Sequence, residues 1–313
     1  MKIKSIIILL IASLICSSAL TAQEKPPQTN VKPIIQVFGD FHTGFGENKE
    51  ELGFDLNRAY LGYQYELQKG LSIKAVMDIG QSKNVGDYQR IAYIKNAQIS
   101  WKHNNFTLNG GLISTTQFNE IEKFWGHRYV MKSFQDEYKF GHSADLGLSA
   151  SYKFTSWLTT DVIVTNGEGY KKLQQGNGLQ YGIGATLNPT KGLFFRLYAG
   201  INDTNTLNYS FFTGYKNEIF SLAGEYNIME NSKQGVSLYG TVQLSKNSEF
   251  YARYDILEVR ENLSNEDYSC VRGGFQYAFN DKIKISPNLK ISVPINNNSN
   301  PEYFAFISFY FGI

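Results

Sequence analysis

Cysteine is nearly absent from this chain: its 313 residues include two, Cys16 and Cys270. Cys16 falls in an N-terminal leader. Lys2 and Lys4 precede a nearly unbroken apolar run from Ile6 to Ile15, and small residues follow up to Ala22. That is the layout of a secretory signal peptide over 1–22, with cleavage expected after Ala22. Ile15 is too bulky for a lipoprotein-type cleavage before Cys16. Once the leader is removed Cys270 stands alone, which excludes a disulfide within the exported chain.

An excess of charge is missing too. Two of the 30 bases and none of the 28 acids leave with the leader. The remainder is balanced, and no concentrated basic surface speaks for a nucleic-acid partner. Beyond the leader no apolar stretch reaches the ~18 residues of a spanning helix. Signatures of chemistry are absent as well: no HExxH, CxxC or HxH spacing, no GxSxG, and no phosphate-binding glycine loop in Asn166–Lys172. His127 and His142, with Glu120, Glu122, Asp136 and Glu137, come nearest to a ligand set. Loop histidines beside acids ordinarily serve hydrogen bonding, so no metal, cofactor or catalytic centre is expected.

What the chain has is alternation. Ala59, Leu61, Tyr63 and Tyr65 alternate with Arg58, Tyr60, Gly62 and Gln64. After Gln68-Lys69-Gly70, Leu71, Ile73, Ala75, Met77 and Ile79 alternate with Ser72, Lys74, Val76 and Asp78. Period two places each set on one face of a strand, and the tight turn makes an antiparallel hairpin. Such units recur to the C-terminus. With 33–42 as the first strand the count is sixteen, after a polar, proline-bearing lead-in over 23–32.

The connections alternate in length. One set is a few residues long; the other comprises 43–53, 81–89, 115–142, 166–178, 229–234, 260–267 and 295–301, with 202–206 the short exception. Short turns on one side and longer loops on the other characterise outer-membrane barrels. Each strand has one apolar face and one polar face. A strand between lipid and water needs both, and closure satisfies its backbone. The 21 tyrosines and 22 phenylalanines suit interfacial belts. Trp101, Trp157, Tyr65, Phe106, Tyr152, Phe195, Tyr215, Phe250 and Phe279 fall beside short turns, as a girdle requires. A soluble sandwich with scattered aromatics is the competing reading. Two residues resist the register: Lys95 falls on the lipid side unless a bulge turns it inward, and Pro287 interrupts the fifteenth strand with a bulge or distortion.

The expected fold is therefore all-β: a transmembrane, antiparallel up-and-down barrel of about sixteen strands over 33–313. Three stretches, 57–80, 111–147 and VTNGEGY (164–170), resemble porins of the phosphate-selective porin O and P superfamily, most closely its relatives in Bacteroidota-type bacteria. The resemblance covers the chain beyond the leader and is most specific over 115–145. It implies a homotrimer in the outer membrane of a Gram-negative bacterium, with the third external loop folded into the lumen. Glu120, Glu122, Lys123, His127, Arg128, Lys132, Asp136, Glu137 and Lys139 would then line the constriction, and Phe124, Trp125, Tyr129, Phe134, Tyr138 and Phe140 would pack the loop to the wall.

Inward parity selects Arg58, Lys74, Lys102, Lys153, Arg196, Arg253, Arg272, Lys284 and Lys290 among the bases. Among the acids it selects Asp40, Glu66, Asp78, Asp145, Asp161, Glu225 and Asp255. The dense arginine ladder that phosphate selectivity needs is not there, so at most a weak anion preference is expected. Expected partners are outer-membrane lipid and small polar or anionic solutes. Two functional classes stay open: a passive diffusion channel, or a non-conducting barrel serving binding, adhesion or structure. Modest, polar external loops favour the channel.

Overall fold

The computed structural model describes residues 30–82, 89–174, 176, 178–260, 268–295 and 300–313. The expected signal peptide and most of the expected lead-in lie outside the described residues, as do 83–88, 261–267 and 296–299 within the longer loops. The described residues form sixteen strands. They are β1 (Asn30–Phe45), β2 (Leu52–Glu66), β3 (Leu71–Ser82), β4 (Gln89–His103), β5 (Phe106–Ser114), β6 (Ala144–Lys153), β7 (Leu158–Thr165) and β8 (Gln180–Leu187). There follow β9 (Leu193–Ile201), β10 (Leu207–Lys216), β11 (Phe220–Met229), β12 (Lys233–Ser245), β13 (Ser248–Val259), β14 (Tyr268–Asn280), β15 (Ile283–Pro294) and β16 (Glu302–Gly312).

Each strand pairs antiparallel with its sequence neighbours. β16 returns to β1, from Gln36↔Gly312 to Phe45↔Tyr303, and closes the ring. Closure removes both sheet edges, so the ladder satisfies the backbone all the way round. β1 is longer at both ends than the expected 33–42. β2 pairs with it from Asn30↔Glu66 to Thr43↔Leu52, and Glu66 holds Lys32 at 2.6 Å. The last residues of the expected lead-in thus belong to the barrel.

The two faces differ as period two demands. Leu148, Ile183, Leu222 and Leu238 are all more than half exposed, while Ser149, Asp161, Arg253, Asp255 and Ser286 are buried. In a closed ring the buried set faces inward. Lys95 joins it through a bulge: Val76 pairs with Asn96 and Met77 with Ile94, leaving Lys95 as the extra residue. Its ammonium lies 3.0 Å from the Tyr60 hydroxyl and 4.4 Å from that ring's centroid. A second bulge, at Asn57 between Phe38↔Arg58 and Gly39↔Leu56, has no sequence signal. At Pro287 the β14 ladder lapses between Gly274↔Asn288 and Tyr277↔Ile285 and resumes in the same register. The missing N–H distorts the ladder there without a bulge.

Short turns join the strands at one end. Gly70 is required in its turn: φ is 76°, and a Cβ would meet the Lys102 carbonyl oxygen at 2.0 Å. At the other end the longest connection, 115–143, links β5 to β6 and carries two short helices, α1 (Asn119–Trp125) and α2 (Phe134–Glu137).

Candidate functional site

The 115–143 segment is closed at its neck. The Thr115 N–H donates to the Ser143 carbonyl at 3.2 Å, and the Thr115 hydroxyl donates to the His142 carbonyl at 2.5 Å. α1 ends at Gly126 in the left-handed region, φ 72°, with its N–H on the Glu122 carbonyl at 3.1 Å. Ile121 and Trp125, four residues apart, share one buried side of this helix.

Those residues belong to an apolar core shared by the segment and the inward face of the barrel. Phe124 packs on Phe194 and Phe212, with centroids 6.1 and 5.3 Å away. Trp125 sits edge-on to Tyr239 at 5.0 Å and to Tyr251 at 6.0 Å, and donates its indole N–H to the Met131 carbonyl at 2.8 Å. Polar latches surround this core. Gln135 donates to Ser210 at 2.8 Å, Tyr129 to Gln276 at 2.8 Å, and Tyr138 to Asp255 at 3.0 Å. Lys233 reaches the Tyr138 carbonyl at 2.7 Å.

Buried arginines complete the attachment. Arg253 holds Asp255 through two 2.8 Å hydrogen bonds, from Nε and Nη2, and donates from its third nitrogen, Nη1, to the Lys132 carbonyl at 2.6 Å. Arg196 pairs bidentately with Asp161 and caps the Thr116 carbonyl at 2.7 Å. Each charge is desolvated, but each has an opposite charge and fixed dipoles around it. Removing one partner of such a pair is far costlier than the pair itself.

At the centre of the segment Arg128 bonds Glu122, Asp136 at 2.7 Å, and the Tyr60 hydroxyl at 3.1 Å on the opposite wall. Tyr60 also accepts from Arg58 at 3.1 Å. Burial pushes the Asp136 carboxyl up, but Arg128 and Lys132 outweigh it and hold the group below the usual carboxylate range. A depressed carboxylate stabilises the fold fully above the unfolded value of about 4 and loses that contribution as pH falls through its own lower value. Titrating the wild type and Asp136→Asn below pH 4 should therefore show acid-induced loosening of the segment in the wild type only. Equal acid profiles would remove Asp136 from the latch.

Two open volumes flank this cluster. One, of about 850 Å³, is lined by Arg58, Arg128, Tyr129, Lys132, Glu137, Lys139, Lys171, Arg272, Lys290, Phe304 and Phe306, with Phe38, Asp40, His42, Asp55 and Glu302 among the rest. The other, of about 260 Å³, is lined by Gln36, Glu122, Lys123, Lys284 and Tyr310 among others. Phe38, Arg128 and Tyr129 line both. These three side chains stand where the two cavities adjoin.

No family profile matches the chain, and no curated protein matches it in sequence. Solved structures do match in shape. OmpF of Salmonella typhi, in complex with daunomycin, superposes with a TM-score of 0.70 at 10% identity, over 90% of this chain and 97% of that one. A loop-deleted OmpT, an outer-membrane protein of Vibrio cholerae, gives 0.64 at 13% identity, over 92% and 100%. A mutant porin of Rhodopseudomonas blastica gives 0.64 at 12% identity, over 91% and 100%. The fold is that of a porin.

Within this porin fold the residues singled out by sequence separate into three groups. Arg58, Arg128, Lys132, Glu137, Lys139 and Arg272 line the large cavity and Glu122 the small one, while Asp136 lines neither and is held by Arg128 at 2.7 Å. Lys123 also lines the small cavity and pairs with Glu120 at 2.7 Å; Lys74 is half-buried, and Lys102 is exposed beside a short turn. Others are walled off, which corrects the expectation that they line open space. His127 is buried between the Trp125 carbonyl at 2.8 Å and Glu249 at 3.1 Å. Asp145 accepts the backbone N–H of Leu146 and of Gly167, at 2.8 and 2.7 Å. Asp78, Arg196 and Arg253 point inward but are covered. Inward parity carries no information on what the long segment covers.

Sequence reasoning missed the inward aromatics Phe38, Tyr60, Phe304, Phe306 and Tyr310. Their signal was legible: each occupies an inward position of its strand, where counting charges alone passes over rings. Among the described residues no group of three or more His, Cys, Asp or Glu side chains is placed to hold a metal ion.

Proposed function

We propose that the chain is an outer-membrane porin: a water-filled channel for passive diffusion of small hydrophilic solutes or ions, at most weakly anion-selective. The observation that carries this reading is the pair of polar cavities meeting at Phe38, Arg128 and Tyr129 inside a closed barrel. The large cavity has seven basic and five acidic side chains in its lining, a mild excess of positive charge. Selectivity in such a pore follows from its width and its ring charges. The exposed apolar band suits hydrocarbon outside the barrel, since soluble monomers rarely expose contiguous apolar patches beyond a few hundred Å².

On this reading residues 1–22 direct export and the chain resides in the outer membrane of a Gram-negative bacterium. It is a relative of the porin O and P superfamily, works as a homotrimer, and performs no catalysis. The constriction residues are Glu122, Arg128, Lys132, Asp136, Glu137 and Lys139. One observation favours the second reading, a non-conducting binding or structural barrel: the 115–143 segment is latched to the inward face by many buried contacts. Conductance of the purified protein in a planar bilayer decides between them. The expected result is discrete current steps with a small anion-side reversal potential in a salt gradient and no block by phosphate. Folded protein that yields no steps would leave the second reading.

A further inference from the structure

The inward aromatics fall into two populations. Those on β9 to β13, such as Phe212, Tyr239 and Tyr251, are covered by the 115–143 segment. Phe304 and Phe306 on β16 are not; they line the large open cavity and are half-buried. Their inner row continues through Ser308 to Tyr310, whose ring lies 5.8 Å from Phe38 and 5.9 Å from Tyr129. Aromatic rings therefore line both cavities, with Phe38 and Tyr129 common to the two.

Cations accompany this row on the neighbouring strands. Lys290 stands opposite Phe304 in the β15·β16 register, and Lys284 stands opposite Tyr310 with its ammonium 5.8 Å from the ring centroid. Between them the Arg272 guanidinium lies 4.3 Å from the centroid of Phe306, oriented by Asn288 at 2.9 Å. Four of the five acids lining the cavity have partners of their own: Asp40 has His42 and Asn57, Asp55 has Gln81, Glu51 has Asn48, and Glu137 lies 3.7 Å from Lys132. Glu302, the acid in the same inner row, stands above Phe304 at the mouth.

We propose that this side of the interior is a binding track for carboxylates that carry a flat apolar ring. The inference deepens the porin reading and rests on it. Arg272 takes one face of Phe306, so Phe304 and the exposed remainder of Phe306 are the ring surface that gains by stacking on a planar apolar solute. A cation held beside that ring meets an anionic substituent on the solute's edge. An aromatic acid supplies both features at that spacing. A polyhydroxylated ring suits it less, because the polar neighbours in the row are spent on each other: Asn288 donates to Ser308 at 3.0 Å and to the Ser286 carbonyl at 2.9 Å.

The test uses benzoate as probe, acetate as the same charge without a ring, and benzyl alcohol as the ring without the charge. Added to the open channel in a planar bilayer, benzoate should reduce the current with a half-effect concentration at least about tenfold below that of acetate or benzyl alcohol. Phe306→Ser and Arg272→Gln should each bring benzoate to the acetate value, while Phe309→Leu, on the outward face of the same strand, should leave the difference intact. Equal effects of all three solutes, or an unchanged difference in Phe306→Ser, would overturn the track. A second measurement does not need conduction: saturation-transfer NMR of benzoate with the folded protein in detergent, against protein-free micelles. A ring-proton signal lost in Phe306→Ser supports the track even if no current flows, in which case the channel reading fails alone. Absence of that signal in the wild type overturns the track even where current steps are normal.

Discussion

Trp125→Ala should release the 115–143 segment without opening the barrel. Trp125 is 1% exposed, wedged between Tyr239 and Tyr251, with Arg253 5.3 Å over its ring and its indole N–H committed to Met131. Deleting such a side chain costs about 3–5 kcal/mol through lost transfer energy and the cavity left behind. The strand ladders close independently of the segment, so the loss falls on docking. Trypsin should then cut at Lys123, Arg128, Lys132 or Lys139 in the variant and spare the folded wild type, and the variant's conductance should rise. A variant that resists trypsin and conducts as before would show that the polar latches hold the segment without the tryptophan.

Leu148→Arg should cost about 2–4 kcal/mol when the protein is folded into bilayers, the range for a cation placed at the midplane on a lipid-facing strand position. Leu148 is 59% exposed and alternates with the buried Ser149 on β6. On a water-exposed surface the same substitution would fall within about 0.5 kcal/mol. Urea titration of both forms in lipid vesicles reads the difference. A near-zero result would place the apolar band against water.

Much of this fold is legible in the chain because period two is a local property. The alternation of Leu71, Ile73, Ala75 and Met77 with Ser72, Lys74, Val76 and Asp78 survives in β3 as outward and inward rows. Even the misfit of Lys95 was readable, since a lysine in an apolar row demands a bulge, and the bulge is there. The bulge at Asn57 was not: a polar residue beside Arg58 breaks no pattern that sequence can register. The site was legible in part. An aromatic-rich segment between β5 and β6 marked the stretch that shares a buried cluster with the strands, and Arg128 lay within it. Which charges stay open was hidden, because that depends on partners 35 to 122 residues away, as in Arg196–Asp161 and His127–Glu249.

By itself the sequence determined the strand count, the two faces of each strand, the length asymmetry of the connections and the location of the one long insertion. All of these follow from backbone geometry acting over a few neighbouring residues. The tertiary structure alone decided which inward side chains are walled off, that two cavities adjoin at Phe38, Arg128 and Tyr129, and that a row of aromatics beside cations faces open space. Burial and charge pairing inside a barrel are set by what lies across the lumen, and residues that meet there are close in space and remote along the chain.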